Sequence, residues 1–374
     1  MALYLDCNAT TQVIEPVADL VCKLMVEEYG NAGSRTHTYG LDAKRYVEKA
    51  RQQVADVVSA NKTDIIFTSG ATESNNIAIL GLEKFGKETN KTHIITTEIE
   101  HKAVLEPILE LEKRGFQITW LKPNKEGLIN PQDLAAALQD NTLLVSIMFV
   151  NNETGCIQPL ELFSEVLGEH DAFFHVDAAQ GFGKYIEPLC EQRIDMISIS
   201  GHKVYAPKGI GALVMRKRGY IKPPLTPILF GGGQEKKLRP GTLAVPLIAG
   251  LGLSSELAVK HGDERKKHAS MIKEQVLELL NALGAKINGS NTSDYVINFS
   301  VPELNSEAAM VAFKDVVAVS NGSACTSSSY IPSHVLVAMG MDEKEINGAI
   351  RMSWSHMTNE IPLVQLHERI KQLL

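Results

Sequence analysis

Cysteine is sparse and scattered: five residues, Cys7, Cys22, Cys156, Cys190 and Cys325, odd in number and without a CxxC pair. That usage argues against a disulfide framework and against a zinc site, so no metal is expected and a reducing, cytoplasmic setting is. No apolar run approaches the length needed to cross a bilayer. The segment 1-MALYLDCNATTQ-12 lacks a basic stretch followed by an apolar one, so no secretory leader is expected there. Excess positive charge is missing too. Lys and Arg number 37 against 44 Asp and Glu, a formal net charge of −7. Such a chain has no global basic field to draw nucleic acid or an anionic membrane, and neither is expected as a direct partner. Local basic runs such as Lys236-Lys237 are too short to change this. There is no internal repeat, and low complexity is confined to 320-SNGSACTSSSY-330.

What is present is an ordinary globular composition over 374 residues, 44% hydrophobic and 22% charged, enough for one large domain and a smaller one. Apolar residues at helical spacing predict helices over 14–28 and 41–58. Seven short apolar runs follow, 64–68, 93–97, 117–121, 143–149, 172–176, 194–199 and 210–215. Helical segments over 74–85, 102–113, 131–139 and 160–169 lie between them, the third opened by the cap-like Asn130-Pro131. This alternation predicts an α/β fold with a mostly parallel, seven-stranded sheet covered by helices on both faces. Beyond residue 245 the texture changes to one or two long helices over 246–282. Short strands over 295–301, 316–319 and 349–354 then alternate with helices over 306–314, 332–339 and 360–373. The expected division is a large domain over 14–250 and a small α+β domain from 1–13 and 251–374, carrying a loop over about 320–332.

Ligands of such sheets bind beyond the carboxyl ends of the strands. After 64–68 comes 69-SGATESNN-76, where a glycine turn leads into a helix starting at Ala71 and Thr72. It is either a phosphate cradle or an ordinary helix cap. After 93–97, His101 stands at a strand-to-helix junction, as a reactive imidazole or a polar cap. After 143–149, Asn151 and Asn152 offer amides or a plain turn. After 172–176, Asp177 is expected half buried with no local cation, which suits a ligand nitrogen or a helix cap. After 194–199, Ser200 and His202 flank Lys203, a lysine placed to act as a Schiff-base amine; Lys208 reads as solvent-facing. Singly these signals are weak. Together, a cradle, a carboxylate, an amine and surrounding donors are the set that pyridoxal 5'-phosphate requires.

The blocks SGATESNN, EIEHKAV, VNNETG, HVDAAQ, SISGHKVYAPKGIGAL, GGGQEKKLRPGT and SNGSACTSSS, in this order, resemble the cysteine desulfurases of the IscS/NifS type. Those enzymes belong to the class V aminotransferase group, with fold type I pyridoxal-phosphate architecture. The resemblance runs from 4-YLDCNATT-11 to 351-RMSWS-355. It implies that Lys203 carries the cofactor, Asp177 pairs with its ring nitrogen and Gln180 with its ring hydroxyl. His101 would lie over the ring and shuttle protons, while Ala71, Thr72, Ser200 and His202 hold the phosphate. Thr242 would reach the phosphate of a neighbouring subunit, which makes the protein a homodimer. Asn152 and Arg351 would bind the substrate carboxylate. Cys325 would attack the sulfur of L-cysteine, leaving L-alanine and a persulfide that passes to a sulfur-acceptor protein, as in iron-sulfur cluster or thio-cofactor synthesis. The several residues between SACTS and Pro332 resemble the longer-loop class, and an RxGHHC-like block is absent. Two blocks, 30-GNAGSRTH-37 and 239-RPGT-242, are more similar to the desulfurase of DNA phosphorothioation. An aminotransferase would have no use for Cys325, and a selenocysteine lyase would differ in substrate. A non-catalytic scaffold would not need Lys203, Asp177, His101 and Cys325 together.

Overall fold

Among the residues described by this computed structural model, 2–321 and 332–374, the chain forms twelve strands. In chain order they are β1 (Leu3–Tyr4), β2 (Ile65–Thr68), β3 (His93–Thr97), β4 (Gln117–Leu121), β5 (Thr142–Ser146), β6 (Phe173–Asp177), β7 (Met196–Ser200), β8 (Gly211–Met215), β9 (Lys286–Ile287), β10 (Val296–Ser300), β11 (Val317–Ala318) and β12 (Ala349–Ser353). Seven of them make the large sheet, in the order β2-β8-β7-β6-β5-β3-β4. β8 runs antiparallel to β2 and β7, and the other pairs are parallel. Every residue of β2, β3, β5, β6, β7 and β8 is buried, because helices cover both faces. That double cover is why these strands read as continuous apolar runs rather than alternating ones. Only the edge strand β4 is partly exposed.

The elements follow the sequence expectation with local shifts. The expected strand 143–149 leaves the ladder at Ser146. Beyond it Ile147 N still donates to His175 O at 3.1 Å and Phe149 N to Asp177 O at 3.0 Å. The helix expected over 74–85 is two, Ala71–Leu80 and Glu83–Glu88. The region 245–282 is one 38-residue helix, Val245–Ala282. It crosses helix Thr38–Val57 closely: a Cβ added to Gly252 would fall 2.5 Å from Ala50 Cα. Asn130 caps helix Pro131–Ala137 through Gln132 N.

The C-terminal part builds a three-stranded sheet, β12-β10-β9, and β1 returns to pair in parallel with β11. A separate apolar cluster forms there around Trp354, Phe299 and Phe313. Each such fully buried side chain contributes roughly 1.5–3 kcal/mol. The segment before 239-RPGT-242 is strained, with Glu235, Lys236 and Lys237 at φ of 43°, 58° and 68°. It is held by buried Glu235, which accepts from Arg51 Nη2 at 2.7 Å and from Phe67 N at 2.7 Å. Among the described residues no helix is long and apolar enough to cross a membrane, and no group of three or more His, Cys, Asp or Glu could hold a metal ion.

Candidate active site

Residues at the carboxyl ends of β2, β6 and β7 face one cleft of about 500 Å³. Beyond β2 the chain turns at Gly70 into helix Ala71–Leu80, and Ala71 and Thr72 open that helix against the cleft. The turn and β8 touch: a Cβ on Gly211 would lie 2.6 Å from Gly70 Cα, so position 211 needs glycine, while Gly70 holds a φ of 155°. First-turn N–H groups lack intrahelical partners and carry the positive end of the dipole. Glu73 steadies this turn, accepting from Ser69 N at 2.6 Å and from Arg239 Nε at 2.9 Å.

Asp177 is the last residue of β6 rather than the first after it, and it is 5% exposed. Its oxygens accept from Asn75 Nδ2 at 2.8 Å and Ala179 N at 2.9 Å. Both donors are neutral, and no Lys, Arg or His among the described residues makes an ion pair with it. Gln180, also buried, lines the cleft beside it.

β7 ends at Ser200, and a single 3-10 turn, Gly201–Lys203, delivers the lysine. Lys203 Nζ donates to Asn8 O at 2.5 Å and to Ala9 O at 2.7 Å. His202 Nδ1 lies 3.2 Å from Thr10 Oγ1. Burial, with Lys203 and Lys208 adding to it, pushes His202 down to about 4, so its ring is neutral at neutral pH. His101 caps helix Lys102–Lys113, its Nδ1 accepting from Ala103 N at 3.1 Å. The proton of the neutral ring is therefore on Nε2. Burial lowers the His101 pKa, Asp177 opposing this and Lys203 reinforcing it.

Arg351 lies within β12, opposite Asn298. It is 2% exposed and donates to Asn152 O at 3.0 Å and Asp6 Oδ1 at 2.6 Å, while its Nε has no partner among the described residues. The two asparagines divide their work. Asn151 organises the turn, its Oδ1 accepting from Glu153 N and Thr154 N, and Asn152 lines the cleft. Lys208 is exposed, as expected, but at the cleft rim.

The cleft thus gathers Ala71, Thr72, His101, Asn152, Asp177, Gln180, Ser200, His202, Lys203 and Arg351. Thr242 is exposed and does not line the cleft of its own chain. Cys325 lies outside the described residues. Cys7 is buried, which pushes its thiol up to about 11, and buried Cys156 donates to Glu126 O at 3.2 Å.

Sequence reasoning missed four residues. Asn8 and Ala9 act through main-chain carbonyls, which leave no side-chain signature. Asn75 and Glu100 stood inside quoted blocks, and polar residues in positions facing the sheet were the available signal. Glu100 is fully buried, and burial raises it to about 8. Its Oε1 accepts from Thr97 Oγ1 at 2.8 Å and Met148 N at 2.7 Å, while Oε2 has no partner among the described residues.

A lysine one turn beyond β7, a buried carboxylate ending β6 and an open helix start beyond β2, on this sheet order, define a fold type I pyridoxal-phosphate architecture. The family model described as aminotransferase class-V matches residues 3–362. A mitochondrial cysteine desulfurase of Candida maltosa is 45% identical over 96% of this chain and 74% of its own length. Among solved structures, a NifS-like protein superposes with a TM-score of 0.89 at 34% identity, covering 100% of this chain and 98% of its own. DndA from Streptomyces lividans superposes with a TM-score of 0.83 at 47% identity, covering 94% and 99%. The chain belongs to the class V aminotransferase family, on its cysteine desulfurase branch.

Proposed function

We propose that the protein binds pyridoxal 5'-phosphate, converts L-cysteine to L-alanine, and passes the sulfur through Cys325 to an acceptor protein. The observation that carries this reading is the buried Asp177 carboxylate, which among the described residues has only neutral donors and faces the same cleft as Lys203. A protonated ring nitrogen is the partner that such a carboxylate lacks. The glycine-lined turn before Ala71 and Thr72, with Ser200 and neutral His202 opposite, suits a phosphate. Lys203 would bond the aldehyde carbon and Gln180 the ring hydroxyl.

When bound, the cofactor supplies an electron sink for negative charge at the substrate α-carbon. The protein's own groups do the rest. Arg351 and Asn152 hold the substrate carboxylate, the planar guanidinium giving a two-point grip. Lys203 Nζ takes the α-proton, and the Asn8 and Ala9 carbonyls stabilise the resulting ammonium. His101, neutral and with its proton on Nε2, moves a proton at the substrate sulfur. The Cys325 thiolate then attacks that sulfur. The carbon–sulfur bond breaks, carbon keeps the electron pair and gains a proton, and the products are L-alanine and a Cys325 persulfide.

The exposed Thr242 supports a reach to a second subunit, hence a homodimer. We read 14–250 as the cofactor domain and 1–13 with 251–374 as the small domain, a division supported by the separate cluster around Trp354. The scattered thiols support a reducing, cytoplasmic location. The 47% identity to DndA and the blocks at 30–37 and 239–242 favour DNA phosphorothioation as the destination of the sulfur. The test is mass spectrometry of Cys325 after incubation with L-cysteine. One added sulfur is expected; alanine formation with Cys325 unmodified refutes the persulfide route.

A further inference from the structure

A second lysine sits behind the cleft. The turn after Asp177 runs 178-AAQGFGK-184 and doubles back. Gly183, at φ 71°, passes so close to the lysine loop that a Cβ there would lie 2.6 Å from Val204 Cγ2. The tight turn places Lys184 four residues on, beneath Gln180. Lys184 Nζ donates to Gln180 Oε1 at 3.3 Å. Gln180 Nε2 donates to Asn8 O at 2.8 Å, the carbonyl that also accepts from Lys203 Nζ. Three hydrogen bonds thus join the second lysine to the first.

An ammonium has donors and no acceptor. The end of the Gln180 carboxamide that faces Lys184 is therefore the carbonyl, and the N–H₂ end faces Asn8 and the cleft. One N–H serves Asn8 O; the other has no protein partner among the described residues. We propose that Lys184 is a positioning residue: its ammonium locks the Gln180 carboxamide with N–H toward the cleft, donating to the anionic ring oxygen of the cofactor, and lends positive charge behind that oxygen. This rests on the cofactor reading above.

The surroundings suit the role. Burial lowers Lys184 to about 8, so it stays largely charged at neutral pH. The groups that face it are the Cys7 thiol, kept neutral by burial, and the Tyr295 ring, 5.3 Å from Nζ. Neither supplies a competing carboxylate.

The test is a pH titration of the visible absorbance of the purified holoenzyme, for wild type, Lys184→Met and Lys184→Arg. A cation near the ring oxygen favours the deprotonated cofactor. Its loss in Lys184→Met should raise the midpoint by about half a pH unit or more, roughly a threefold change in proton affinity. Lys184→Arg should restore the wild-type midpoint. Should the methionine variant fail to fold, Lys184→Gln keeps a donor for Gln180 without the charge and should shift the midpoint the same way. An unchanged midpoint in a folded, coloured neutral variant overturns the role of Lys184 alone. A wild-type protein with no visible band overturns the cofactor reading, and this proposal with it.

Discussion

Replacing Asp177 by asparagine separates charge from shape at the centre of the site. The side chain is isosteric and 5% exposed, so no cavity forms. Ala179 N can still donate to the remaining oxygen. The contact with Asn75 Nδ2 becomes donor against donor. Asn75 Oδ1, however, has no partner among the described residues, so turning that amide over restores a hydrogen bond. The net change in stability should stay within about 1 kcal/mol. Activity is another matter. A carboxylate beside a cation shifts proton affinity by roughly 1–3 pKa units, at about 1.4 kcal/mol each. Losing it should cost about 1.4–4 kcal/mol in the step that needs a protonated ring nitrogen, or roughly 10- to 1,000-fold in turnover. The assay is alanine formation at saturating L-cysteine, with cofactor occupancy read from absorbance and stability from urea unfolding. A fully loaded Asp177→Asn enzyme within about threefold of wild-type turnover would refute the argument.

Three further outcomes follow from the same geometry. Lys203→Ala should lose the visible band and at least about a thousandfold in alanine formation while keeping its unfolding midpoint near that of wild type. Glu100→Gln should make stability less dependent on pH. Glu100 is raised from 4.5 to about 8, so its contribution is whole at low pH and is lost as pH climbs between those values. The glutamine variant should gain on the order of 3 kcal/mol over wild type at pH 7 and nothing below pH 4.5, measured by urea unfolding at both. Arg51→Met leaves Glu235 buried without its cation and should lower unfolding free energy by roughly 3–5 kcal/mol; an unchanged urea midpoint would contradict that.

The legible part of this fold is the part written in side chains with one period. Fully buried strands such as Ile65–Thr68 and Met196–Ser200 give apolar runs, and residues at or just beyond the end of each run enter the cleft. Lys203, Asp177 and His101 were readable for that reason. Their boundaries were not, because strand ends depend on ladder partners: Asp177 and Ser200 still pair with neighbours and count as strand. The two-residue strand Lys286–Ile287 was too short to produce a pattern. The Asn8 and Ala9 carbonyls were invisible because any residue carries a carbonyl, and the contact spans 195 positions for Asn8. Buried Glu100 stood beside His101 in the sequence, but its burial arises from Thr97 and the Met148 backbone, packing that periodicity does not report.

The stitching of the amino-terminal segment has a consequence for biosynthesis. Leu5 N bonds Ala318 O, Leu5 O receives Ser353 N, and Asn8 N donates to Ser353 Oγ. The carbonyls that accept from Lys203 Nζ therefore find their footing only once residues near 353 have left the ribosome. Early folding of the central sheet leaves that amine unmoored, so a nascent or truncated chain should lack these contacts. A fusion or deletion at the front of the polypeptide should disturb chemistry nearly two hundred positions away before it disturbs the fold.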